Sequence, residues 1–403
     1  MQSTVSDGVL ATPVSVSPAS LAAAFASVPD PRRHASITYP LAAVLTLAVS
    51  AMLSNHGSVL AMAEWGARQS REVLAQLGFA TGQTPRQSTL QRLFAKLDGR
   101  ALSATLAAHF APAGSPTHAT RELLHGVAID GKAQRGRLPY AADGSPVHAL
   151  SAFCHRQGLV LAHEPIEPTG DKAAAELTAA PALVARIDWA GRVLTGDALF
   201  CQRALCQQVL VAGGDYLLVV KENQPALHAA IRLLFDPPPD DHPLPLVDRR
   251  TASTLERGHG RTDETREVVA STDLVDYLDW PGHAQVIRVE RRWHAHGAHR
   301  CCRHYGITSL TPTRATPAQL LALKRGHWSI ENRLHRTKDV TFGEDASLIH
   351  VGHGPTVMAL LRDAAVNVLH RAGVSRLTAC LRDHSQHPER AVRLLIDSPP
   401  AHA

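Results

Sequence analysis

The stretch His125-Gly-Val-Ala-Ile-Asp130-Gly131-Lys132 is where the sequence changes its period. Upstream, apolar residues recur at helical spacing. Here a short apolar run ends in an acid, which predicts a buried strand with a carboxylate at its tip. Arg192-Val-Leu-Thr-Gly-Asp197 is a second run of the same kind. The pattern also predicts strands over 147–154, 159–166 and 215–221, and helices over 172–185 and 202–211. The order β-β-β-α-β-α-β implies an α/β fold, a mixed sheet flanked by helices.

Upstream, residues 1–16 are small and polar and read as a tail, followed by a helical domain over 17–120. Leu41, Val44, Leu45, Ala48, Val49 and Met52 recur at helical spacing, and Pro85-Arg86-Gln87-Ser88 can start a helix over 89–98. Residues 1–120 carry eight Lys and Arg against five Asp and Glu, so a small basic domain that binds DNA through Arg86, Arg92 and Lys96 is expected. Downstream, the sheet region is taken as 121–235. The run Pro237-Pro-Pro-Asp-Asp-His-Pro opens a β-rich insertion at 236–312, where 262–269 and 285–290 alternate. Residues 313–385 return to helices, expected over 318–338, 354–372 and 375–384. Residues 386–403 read as a C-terminal tail.

Composition narrows the class. The 403 residues are 45% apolar, enough for a sizeable core, which excludes collagen, full-length disorder and a small disulfide scaffold. The best apolar run, 41–53, is too short to span a bilayer. No basic stretch precedes an apolar one at the N-terminus, so no secretory signal is expected. Six cysteines show no paired framework and read as reduced thiols of a cytoplasmic protein. The net charge of +5 permits a nucleic-acid partner without requiring one.

Three acids stand out by context: Asp130, Asp197 and Glu331, the last in His327-Trp328-Ser-Ile-Glu331-Asn. Two strand-tip carboxylates and a third from a helix can form a cage of hard oxygen ligands suited to Mg²⁺ or Mn²⁺. Ordinary strand-end and helix-surface acids give the same letters. On an α-helix His327, Glu331, His335 and Lys338 share a face. Lys324, Arg325, Arg333, Arg336 and Lys338 surround the single acid there, which fits phosphate contacts; a solvated helix with i,i+4 pairs explains the charges too. Arg288, Arg291, Arg292, Arg300 and Arg303, interleaved with Trp293 and Tyr305, can grip bent or unpaired DNA. His259-Gly260-Arg261, with Glu264 and Arg266, either contacts phosphates or braces a turn. His299, Cys301, Cys302 and His304 do not have zinc-finger spacing. Lys221-Glu-Asn-Gln224 after a strand either faces the site or caps it.

These residues fall into ordered blocks: Ala128-Ile-Asp-Gly-Lys132; Gly196-Asp-Ala198 with Cys201-Gln202; Gly213-Gly-Asp-Tyr216 with Lys221-Glu-Asn-Gln224; Gly258-His-Gly-Arg261 with Glu264 and Arg266; Trp280-Pro-Gly282; His327-Trp-Ser-Ile-Glu-Asn332 with Leu334-His335; and Asp339-Val-Thr-Phe342 with Glu344-Asp-Ala-Ser347. In this order the sequence resembles the insertion-sequence transposases of the H-repeat-associated group, DDE transposases with an RNase H-like catalytic core. Pro29-Asp-Pro-Arg32, Tyr39-Pro40 and Ser88-Thr-Leu90 resemble the helical domain that precedes that core. The resemblance covers roughly 20–372. It implies Asp130, Asp197 and Glu331 as metal-binding catalytic acids, Mg²⁺ with Mn²⁺ as substitute, and DNA as substrate. It also implies a dimer or higher oligomer in the synaptic complex and a nucleoid-associated location. Lys338 resembles the lysine that related transposases place seven residues after the catalytic Glu. The family's usual Ser-Asn-Glu after its lysine is absent, and Lys172-Ala-Ala-Ala-Glu176 stands there, which leaves the role of 172–176 open. A nuclease that cuts without joining, or a repurposed DNA-binding relative, are the alternatives on the same fold.

Overall fold

A computed structural model describes residues 20–34, 37–111, 124–134, 148–166, 171–238, 246–258, 261–295 and 298–397. Besides short helices at Leu21–Ala24 and Arg71–Gln76, the N-terminal region holds α1 (Leu41–Leu53), α2 (Val59–Ala67), α3 (Gln87–Phe94) and α4 (Gly99–Phe110). All of α1 except Ala42 is buried, as befits a helix apolar all round. Asp98 starts α4 by accepting from the amides of Arg100 and Ala101 at 2.8 and 3.3 Å.

Strands β1 (His125–Ala133), β2 (His148–Cys154) and β3 (Val160–Ile166) form an antiparallel meander. Helix α5 (Lys172–Val184), β4 (Arg192–Gly196), α6 (Arg203–Val211), β5 (Asp215–Val220) and α7 (Pro225–Phe235) follow. β4 runs parallel to β1 and to β5. This is the expected α/β order, and the α/β fold stands.

The 236–312 segment is strand-rich, as expected, and it does not stand apart from the sheet. Its strands β6 (Arg250–Gly258), β7 (Arg261–Ser271), β8 (Gln285–Ala295) and β9 (Ala298–Thr308) extend the same sheet, because β9 pairs antiparallel with β5. The result is one nine-stranded sheet ordered β3-β2-β1-β4-β5-β9-β8-β7-β6. Helices α8 (Pro317–Gly326), α9 (Gly354–Arg371), α10 (Leu377–Gln386) and α11 (Pro388–Ile396) complete the chain. The expected tail therefore contains α11, whose Ala391, Val392 and Leu395 are buried and which packs on α1.

Among the described residues, the N-terminal helices share their core with the rest of the chain. Leu45, Leu47, Phe94 and Leu102 share one apolar cluster with Leu360, Leu361 and Val366 of α9, and with Ala128 and Phe153 of the sheet. Asn367 of α9 grips the edge strand through both backbone groups of Val160, at 2.7 and 2.9 Å. A chain lacking residues 1–120 strips α9 of its partners. It is expected to be insoluble, checked by soluble yield and circular dichroism; a folded, soluble product contradicts this shared core. The opposite face of β1 and β2 packs Val127, Ile129 and Leu150 against Leu183 of α5 and Val209 of α6.

Candidate active site

Register brings the first two acids together. In the parallel β1/β4 pair Ala128 lies opposite Thr195, so Asp130 and Asp197, each two residues on, stand at the same level. Asp197 is exposed, and its carboxylate accepts from the Leu199 amide at 2.9 Å, opening the turn Ala198–Phe200. That turn is held from the next loop: Asn223 donates to the Ala198 carbonyl at 2.6 Å and Gln224 to the Cys201 carbonyl at 2.9 Å. The block Lys221-Glu-Asn-Gln224 thus braces the Asp197 loop while Lys221 lines the cavity beside it.

The third acid arrives from the opposite direction. Thr316 and Gln319 form a reciprocal cap that starts α8, with Pro317 in its first turn. Where the sequence predicts one helix over 318–338, α8 ends at Gly326 and the chain continues as π-helical segments Ile330–His335 and Thr337–Thr341. His155 lies where side chains on Gly126 and Gly326 would stand, so two glycines let this segment approach the sheet. His335 Nδ1 lies 3.1 Å from Glu331 Oε2 and 3.5 Å from Asp130 Oδ2. Ligand atoms of Asp130, Glu331 and His335 all fall within 4.8 Å of one another. Burial pushes the Asp130 carboxyl above its usual range; His335 and the Gly131 amide oppose this, and the charges of Asp197 and Glu331 add to it.

These residues open onto a cavity of about 410 Å³ lined by Asp130, Asp197, Glu331, Lys221, Lys324 and His327. Burial lowers Lys324 to about 8 and His327 to about 4, so His327 is neutral at pH 7. Trp328, 62% exposed, stands at the rim. Lys324, which the sequence groups with the cations around Glu331, and Lys221, from the block that either faces the site or caps it, both line the cavity.

Several residues expected at a DNA surface have partners within the protein. Lys338 is corrected outright: it is 2% exposed, with Nζ 2.9 Å from Asp363 and 3.2 Å from Glu344. Seven residues make nearly two turns of an α-helix, but not of the wider i→i+5 winding found here, so Lys338 rotates off the Glu331 face. Arg333 donates to the His155 carbonyl at 2.8 Å and lies over the Phe153 ring, and Arg325 pairs with Glu256. The basic run on β8 and β9 is largely neutralised across the sheet. Arg291 is held by Glu264 through two bonds of 2.6 and 2.9 Å, Arg292 and Arg303 by Glu290, and Arg288 by Asp236. Arg291 also lies over Trp293 at 4.5 Å. Arg86 and Arg92 are exposed on the N-terminal helices. The side chain of Arg261, and all of His259 and Gly260, lie outside the described residues.

Comparison with known proteins decides the family. A transposase DDE domain matches residues 125–367, and a DDE_Tnp_1-associated domain matches 22–110. The chain belongs to the DDE transposases. It is 33% identical over 295 residues to the "Uncharacterized protein in dhlA 3'region" of Xanthobacter autotrophicus, covering 71% of this chain and 93% of that one. It is 26% identical over 365 residues to "Putative transposase YncI" of Escherichia coli O157:H7, covering 87% and 88%. It is 26% identical over 255 residues to "H repeat-associated putative transposase YhhI" of Escherichia coli K12, covering 60% and 63%. The transposase is an insertion-sequence enzyme that acts on DNA by strand cleavage and strand transfer, chemistry for which its family uses divalent metal. The donor set fits such an ion: carboxylates from β1 and the π-helical segment converge with an imidazole, and burial with like charge disfavours the ionised Asp130 until a cation compensates it. Among the described residues no helix is long and apolar enough to cross a membrane.

Proposed function

We propose that Asp130, Asp197 and Glu331 are the catalytic acids of this transposase and hold Mg²⁺, with Mn²⁺ able to substitute. The observation that carries this reading is the approach of Asp130, Glu331 and His335 within 4.8 Å, with Asp197 lining the same cavity. Hydrolysis of a phosphodiester, and the later attack of the freed 3'-hydroxyl on a target phosphodiester with one target-strand oxygen as leaving group, need the same two things: an activated oxygen and a stabilised leaving oxygen. A divalent ion held by Asp130, Asp197 and Glu331 would supply both. His335, lodged between Glu331 and Asp130, orients their carboxylates. Neutral His327 and the lysines Lys221 and Lys324 line the cavity where a DNA phosphate fits, and Trp328 offers a face for a neighbouring base. Arg86 and Arg92 extend the phosphate-binding surface over the N-terminal helices. Two element ends must be joined to one target, so the working unit is a dimer or a higher oligomer.

The test is incubation with Mg²⁺ and DNA carrying the element's ends, with nicked and joined products mapped. Joined products are expected. Nicks that never proceed to joining support the nuclease reading, and DNA binding without either supports a repurposed relative.

The raised Asp130 carboxyl also makes metal binding visible in stability. Its folded-state value lies above the unfolded one, so folding takes up a proton and that contribution to stability grows as pH falls through this range. A divalent ion favours the ionised form instead. Saturating Mg²⁺ is expected to stabilise the protein by about 2–3 kcal/mol at neutral pH, as for ligand near 100 times its Kd. The gain should shrink toward acid. A thermal midpoint that Mg²⁺ leaves unmoved at every pH contradicts the metal site.

A further inference from the structure

Glu176 sits one turn into α5, is 4% exposed, and is the one acid of that helix. Its side chain is aimed at the tip of β1: a Cβ built on Gly131 would stand 2.1 Å from Oε1. The glycine after Asp130 therefore leaves room for this carboxylate. The same oxygen is buried without a hydrogen-bond partner, and Lys172, more than half exposed, reaches it only at 3.4 Å. Burial pushes the Glu176 carboxyl up; Lys172 opposes this, and the charges of Asp130 and Asp197 add to it.

Successive residues of a strand face opposite sides of the sheet. Val127 and Ile129 pack toward α5, and Ala128 toward the helical layer. Glu331 and His335 thus approach Asp130 from one side of β1, and Glu176 approaches from the other. A buried carboxylate oxygen beside two further acids is costly unless a cation joins them. We propose that Glu176 is a fourth metal ligand, which together with Asp130 and Asp197 holds a second divalent cation from the α5 side of β1. This rests on the assignment of Asp130, Asp197 and Glu331 above. It gives Asp130 a place between two ions, the arrangement that can stabilise the attacking and leaving oxygens together.

The test is Mn²⁺ binding to the full-length protein without DNA, followed by electron paramagnetic resonance of the free ion. The wild type is expected to bind two ions. Glu176→Gln should lose one, or bind it at least tenfold more weakly. Its metal-free unfolding midpoint should equal or exceed that of the wild type, because a buried charge has been removed. Glu331→Gln should weaken the other ion. Two ions of wild-type affinity in Glu176→Gln, or a single ion in the wild type, overturn the proposal while leaving the three acids assigned. No Mn²⁺ bound by the wild type overturns both.

Discussion

Asp130→Asn, Asp197→Asn and Glu331→Gln are each expected to lower strand cleavage by about a thousandfold or more, because a lost metal ligand removes several kcal/mol of transition-state stabilisation and each 1.36 kcal/mol is tenfold. The substitutions preserve size and hydrogen bonding, so folding should survive. Asp197 and Glu331 are exposed, and neutralising Asp130 relieves burial and repulsion; none of the three variants should melt below the metal-free wild type. His335→Gln should cost less, about 10–100-fold, since the ring supports carboxylates that remain. The measurement is the initial rate of nicking on end DNA in Mg²⁺, with a matched unfolding curve for each variant. Any acid whose replacement leaves the rate within tenfold of wild type does not belong to the metal site.

Why these acids could be found in the sequence, and other parts could not, follows from the range of the interactions. Asp130 and Asp197 each end an apolar run with a strand's period, so local pattern marks both the element and its tip. The pairing of β5 with β9 joins Leu217 to Thr308 across the sequence, and no local signal reports it. The strands of 236–312 were legible one by one, but their place as the outer part of the same sheet was not. The arginines of β8 and β9 read as a basic patch because Glu264 and Asp236, which partner Arg291 and Arg288, come from elsewhere. Ala391, Val392 and Leu395 do have helical spacing, and the tail assigned to 386–403 runs across a helix that buries them. Glu176 was visible only as part of a stretch, 172–176, that departs from the family's pattern; what gives it meaning is its approach to the side of Gly131 that lacks a side chain, which no one-dimensional pattern shows.

The winding after Glu331 is the sharpest case, and it reverses the expectation for Lys338. Placed on an α-helix, the lysine is a phosphate contact whose loss slows joining by a folded enzyme. In the π-helical segment it is the buried cation of a network linking Glu344 and Asp363, with Arg362 3.6 Å from Glu344 and His163 2.8 Å from Asp363. Burial alone lowers a lysine, yet Asp363 and Glu344 outweigh it and hold Lys338 above its ordinary value. Against the same burial, Lys338 and His163 hold Asp363 down at about 2. Lys338→Ala leaves two buried carboxylates short of a cation, and removing one partner of a buried pair costs about 3–5 kcal/mol. The expected result is a large fall in the urea midpoint. Because Asp363 is depressed in the folded state, its contribution in the wild type is present above the unfolded carboxylate range and lost as pH falls toward 2. Adding Asp363→Ala to Lys338→Ala should cost less than the two single losses combined, since the second change removes a charge the first left unpaired. A Lys338→Ala protein with the wild-type midpoint and weakened binding of DNA ends shows instead that the amine reaches the DNA, and that the π-helical winding does not hold it inside.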